Sequence, residues 1–109
     1  MAEETQLSEK VSLSGFADED GLTMGSVNKM VSNYVSKLDS EFDDFRKLTI
    51  TLKKVHSHPD GKGGQKGGKN ELHFKADLGK VYASEVVDFN LLVGLDAGFK
   101  KVLAECQKK

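Results

Sequence analysis

The sequence predicts an α+β fold, a two-layer sandwich with two helices packed on one face of a four-stranded sheet. Two stretches repeat their apolar residues at helical spacing, four shorter ones alternate them, and the order is β-α-β-β-β-α. At 109 residues the chain suits a single core, expected over 10–107 with a flexible stretch at 1–9.

The first strand is KVSLSGF (10–16), where Val11 and Leu13 share one side and Ser12 and Ser14 the other. ADEDG (17–21) reads as a turn. From Thr23, the expected N-cap, the period becomes helical. Val27, Met30, Val31, Tyr34, Val35, Leu38 and Phe42 form one apolar stripe of about five turns. LTITLKKV (48–55) alternates again, with Leu48, Ile50 and Leu52 inward and Thr49, Thr51 and Lys53 outward. ELHFKADLG (71–79) does the same, with His73, Lys75 and Asp77 outward, and the two runs read as a hairpin. VYASEV (81–86) is the last strand. Phe89, Leu92, Val93, Leu95, Phe99, Val102, Leu103 and Cys106 make a second helical stripe, capped by Asp88 or Asn90. Gly94 and Gly98 within it lower helix propensity by about 1 kcal/mol each, a cost consistent with close packing on the sheet or the other helix.

Charge is segregated along the chain. Residues 1–45 hold ten acids and three Lys, whereas residues 46–80 hold nine Lys or Arg and three acids. A basic middle segment is the footprint of polyanion binding, although Lys on a sheet edge also serves to prevent aggregation. No apolar run approaches the roughly 18 residues of a membrane helix. The acidic, polar opening MAEETQLSEK is unlike a targeting signal, and Cys106 has no partner for an internal disulfide, so a cytoplasmic protein is expected.

The Gly- and Lys-rich segment HSHPDGKGGQKGGKN (56–70) is read as a flexible hairpin loop. Gly63, Gly68 and Lys69 match part of a phosphate-binding loop, but Asn70 replaces the magnesium-holding Ser or Thr and a strand follows where a helix is required. His56, His58 and His73 are too few for a structural zinc site, which normally takes four ligands, so neither metal nor cofactor is expected. No nucleophile–base arrangement or carboxylate pair stands out, and the reading is non-enzymatic with no small-molecule substrate. Lys53, Lys54, Lys62, Lys66, Lys69, Lys75 and Lys80 remain, as phosphate contacts drawn from one hairpin and the junction after it. The outer sheet face lacks aromatic residues in this reading, which favours recognition by shape and backbone over base stacking.

Taken together, VSLSG, Tyr34-Val35-Ser36-Lys37-Leu38, LTITL, Leu95-Asp96-Ala97 and Phe99-Lys100-Lys101-Val102-Leu103 resemble the ribosome hibernation-promoting factor / ribosome-associated inhibitor family in its short, single-domain form. The resemblance spans roughly residues 10–107. It implies the same β-α-β-β-β-α sandwich and a non-catalytic regulator, and a monomer is expected. Such a protein occupies the decoding region of the small ribosomal subunit and inhibits translation or stabilises idle ribosomes. It also implies rRNA contacts at Lys53, Lys54, Lys75, Lys80, Lys100 and Lys101. The chain differs from the family in having a single Arg, an acidic first half and a longer Gly/Lys loop. A protein-interaction or granule-associated module that does not bind RNA is the alternative, since fold alone does not determine function.

Deleting residues 61–68 is expected to weaken polyanion binding modestly and leave thermal unfolding cooperative. A deletion variant that no longer folds would show that the segment is structural.

Overall fold

Alternation decides which strand residues meet the helices, because successive side chains point to opposite sides of a sheet. The computed structural model describes residues 5–8, 10–17, 19–55 and 69–108. They form β1 (Thr5–Ser8), β2 (Val11–Ser14), α1 (Gly21–Glu41), β3 (Lys47–Val55), β4 (Lys69–Asp77), β5 (Val81–Asp88) and α2 (Leu91–Gln107). The sheet order is β1-β2-β3-β4-β5. β2 and β3 are parallel and the other neighbours antiparallel. A parallel pair requires a long crossover, and α1 supplies it.

The predicted α+β sandwich is therefore present in β2–β5 with α1 and α2. β1 is an addition: it pairs with β2 through Ser8↔Val11 and Thr5↔Leu13, with a register shift between. Four residues at an edge need only backbone hydrogen bonds, so they leave no clear periodic signal in the sequence. β4 also starts earlier than the hairpin reading implies. Lys69 and Asn70 are strand residues, paired with Val55 and Lys54, rather than part of the loop. The rest of that loop (56–68), with His56, His58, Lys62 and Lys66, lies outside the described residues.

Cross-strand register assembles the inward side in rows: Val11, Leu48 and Ala76; Leu13, Ile50 and Phe74; Leu52 and Leu72. All eight are buried. Val27, Val31, Tyr34 and Leu38 of α1 join them, as do Leu91, Leu95, Phe99, Val102 and Cys106 of α2. The α1 stripe follows the sequence expectation, but its cap is Asp20 rather than Thr23. The Thr23 amide donates to Asp20 Oδ1 at 2.7 Å, and this bond holds the carboxyl below its usual range. Asn90 caps α2, accepting from the Val93 amide at 3.1 Å. Phe89 and Val93 depart from the predicted stripe. Phe89 precedes the helix and is 71% exposed, and Val93 is 54% exposed.

The two helix glycines face the sheet. A Cβ on Gly98 would overlap the Phe74 ring, and one on Gly94 would press on Leu72 and Asp88. The Gly98 carbonyl also accepts from Ser84 Oγ of β5 at 2.9 Å. One residue on, Phe99 stacks on Tyr34 of α1 with ring centroids 4.0 Å apart. Burial, and then the negative charge of Asp96, push the Tyr34 phenol well above its ordinary range. At the start of the crossover, Gly15 has φ +86° and packs against the Leu52 carbonyl, so any side chain there would be both strained and obstructed.

Gly98→Ala is expected to lower stability by about 1–3 kcal/mol through overpacking against Phe74, although Ala is the better helix former by about 1 kcal/mol. Gly25→Ala, where nothing lies within 4 Å, is expected to raise stability by about 0.5–1 kcal/mol. Urea unfolding of both variants tests the pair, and a stabilising Gly98→Ala would contradict the close approach.

Candidate polyanion-binding face

With both helices on one side, the opposite side of β2–β5 carries the intervening residues. Register arranges them in rows: Lys47, Asp77 and Val81; Ser12, Thr49, Lys75 and Ala83; Ser14, Thr51, His73 and Glu85; Lys53, Glu71 and Val87. Lys69 extends the series opposite Val55. Strand parity thus gathers Lys53, Lys69 and Lys75 on one face. It adds Lys47, which the sequence reading passed over because it precedes the alternating run.

The face is not uniformly basic. Lys53 is the register partner of Glu71, and Lys47 that of Asp77. Lys75 has Thr49 and Ala83 as its neighbours and no acid directly opposite. Opposite charges across a ladder contribute roughly 0.2–1 kcal/mol each, so part of this Lys content stabilises the sheet.

The remaining expected contacts are scattered. Lys54 follows Lys53 in sequence and therefore points to the helix side, where its ammonium lies 2.6 Å from Glu19 Oε2. Lys80 is in the β4–β5 turn with its ammonium 5.9 Å from the centre of the Tyr82 ring. That turn is built by Gly79, with φ +84°, and closed by its amide donating to Asp77 Oδ1 at 2.9 Å. Lys100 pairs with Asp96 at 3.0 Å on the exposed side of α2. Lys101 donates to the Glu85 carbonyl at 2.9 Å and so lies along the β5 edge. The nine expected contacts do not converge on one patch. Three share the open face, four point elsewhere, and Lys62 and Lys66 are outside the described residues.

Two side-chain groups were not foreseen. His73 Nε2 is 3.5 Å from Glu71 Oε1 and its Nδ1 is 4.0 Å from Glu85 Oε1, a small cluster in the middle of the open face. The i, i+2 spacing of Glu71 and His73 signals a shared face, but Glu85 joins only through the β4–β5 register. The second group is apolar. Val87, Phe89 and Val93 are each at least half exposed at the β5–α2 junction. The Lys69 ammonium lies 5.7 Å from the centre of the Phe89 ring, a cation–π distance. Buried Asn70 donates from Nδ2 to the Phe89 carbonyl at 2.9 Å and so holds the junction against β4.

A groove beside this junction, lined by Glu19, Thr23, Lys54, Asn70, Phe89 and Asn90, lies at the N-terminal ends of both helices. Helix N-termini attract anions, but here the Asp20 and Asn90 side chains already cap the amides and Glu19 adds negative charge. It is a poor phosphate site. Among the described residues no helix is long and apolar enough to cross a membrane.

The fold and site define a small α+β sandwich with one polar, Lys-bearing sheet face. No family model matches the chain, nor does any curated protein or solved structure.

Lys54→Ala is expected to cost about 1 kcal/mol, because it leaves the mostly buried Glu19 carboxylate without its ammonium. Lys53→Ala on the open face should stay within about 0.5 kcal/mol of the parent. Equal effects in chemical denaturation would contradict the opposite orientations of these neighbours.

Proposed function

We propose that the chain is a non-catalytic, cytoplasmic RNA-binding regulator of the hibernation-promoting kind. It would act as a monomer on structured rRNA in the decoding region of the small ribosomal subunit, where it inhibits translation or stabilises idle ribosomes. The observation that carries this reading is the exposed set Lys53, Lys69 and Lys75 on the open face of β3 and β4. Lys62 and Lys66 fall in sequence between these two strands. Lysines on a rigid two-strand platform make point-charge contacts to phosphates at fixed spacing. The sequence resemblance, residue by residue, supports the same partner. With acids among the lysines, affinity would come from a few well-placed contacts rather than from a large positive field.

A second reading is favoured by a different observation. Val81, Val87, Phe89 and Val93 are 57%, 50%, 71% and 54% exposed, with the first two on an edge strand. An apolar border of this kind suits a protein partner.

Co-sedimentation with small ribosomal subunits over a salt series separates the two. RNA binding predicts affinity that falls steeply with salt, and the Lys53→Glu/Lys75→Glu pair should reduce it at least ten-fold and flatten the salt dependence. Binding that ignores salt and the two lysines but is lost on Phe89→Asp would favour the protein-partner reading. The absence of any binding at low salt would refute the ribosomal proposal.

A further inference from the structure

We infer that Glu71, His73 and Glu85 form a binding site for a divalent transition-metal cation of the zinc class, in the centre of the open sheet face. The inference does not rest on the RNA reading.

The geometry is dictated by the sheet. Residues i and i+2 of a strand project from the same side, so Glu71 and His73 of β4 do so. His73 and Glu85 are direct cross-strand partners in the β4–β5 ladder, with Cβ atoms of such pairs about 4.5–5.5 Å apart. Two ligands on one strand and a third on its neighbour form a triangle held by backbone hydrogen bonds. Taking one donor atom from each residue, all three lie within 4.8 Å of one another. Metal–ligand bonds of about 2.1 Å bring tetrahedral donors to about 3.4 Å apart. The remaining contraction needs only side-chain rotation. Glu85 is 56% exposed and His73 36% exposed, which leaves room for the imidazole to turn one nitrogen toward both carboxylates.

The donor set selects the ion. One imidazole nitrogen and two carboxylate oxygens suit Zn²⁺ and its first-row neighbours. The imidazole disfavours Mg²⁺ and Ca²⁺, which prefer all-oxygen shells, and the lack of thiolate disfavours Cu⁺. Two carboxylates balance a divalent charge, whereas a lysine ammonium, even when bonded to both, neutralises only one. Three protein ligands leave a coordination position open to water or an external oxygen, the arrangement of a non-structural site. Lys53, opposite Glu71, and Lys75, two residues along from His73 on the same face, oppose a cation by repulsion. Affinity is therefore lower than at a four-ligand structural site.

The test is calorimetric titration of Zn²⁺ into the tag-free, metal-stripped full chain, with Co²⁺ absorption as a report on geometry. One equivalent is expected to bind. His73→Ala should abolish binding, and Glu85→Gln, at an exposed position that leaves folding intact, should weaken it at least ten-fold. The His56→Ala/His58→Ala pair should leave binding unchanged. Absence of binding, undiminished binding by the His73 and Glu85 variants, or loss in the His56/His58 variant would each overturn the assignment. None of these outcomes bears on whether the protein sediments with ribosomal subunits, so the two readings fail separately.

Discussion

The place where α2 crosses β4 sets the spacing of both layers. Phe74 is fully buried at the middle of that strand, and Gly98 lets the helix backbone rest on its ring. Phe99 follows immediately and stacks on Tyr34. Three elements meet within two consecutive residues: the sheet below, α2 itself, and α1 alongside. A side chain at 98 would lift α2 from the sheet and separate the aromatic pair, so the helix accepts the lower intrinsic propensity of glycine at this position.

With the helices fixed on one side, strand parity distributes every charged side chain of β3 and β4. Lys53 and Lys54 are adjacent in sequence but lie on opposite sides of the sheet, one across from Glu71 and one against Glu19. Charge density along a sequence is therefore a poor guide to charge density on a surface. The described part of the basic segment 46–80 divides between an open face, where Lys47, Lys53, Lys69 and Lys75 lie among Glu71, Asp77 and Glu85 of the neighbouring strand, and positions such as Lys54 and Lys80 that point elsewhere. That pattern limits long-range attraction and gives weight to local placement.

Much of the fold could be read from periodicity. The α1 stripe, the alternation of β3 and β4 and the helix glycines are visible because one burial direction governs many successive residues. What could not be read depended on contacts distant in sequence. Phe89 sits at a helical spacing from Leu92 and so looked like core, but the Asn70–Phe89 hydrogen bond holds it in the turn before α2. The cap was a local choice between two capping residues three apart, and Asp20 takes it by accepting from the Thr23 amide. The Glu71–His73–Glu85 triangle was half legible: its β4 members share a face by spacing alone, while Glu85 arrives through a register that no local pattern specifies. Lys54 is a different kind of miss. Parity already assigned it inward, and its neighbour's chemistry obscured that.

The contact between Lys101 and the Glu85 carbonyl has a consequence for how copies of this protein coexist. β5 is an edge strand eight residues long with valines at both ends of its open side, the kind of border on which a second chain could add a strand. An ammonium seated on the backbone halfway along it puts a charge where an incoming strand would have to lie. Because Lys101 is anchored in α2, this barrier persists only while helix and strand remain docked. A partial detachment of α2 would expose the apolar sheet and unguard its border in the same event, so self-association should follow loss of that docking rather than fluctuation of the strand alone.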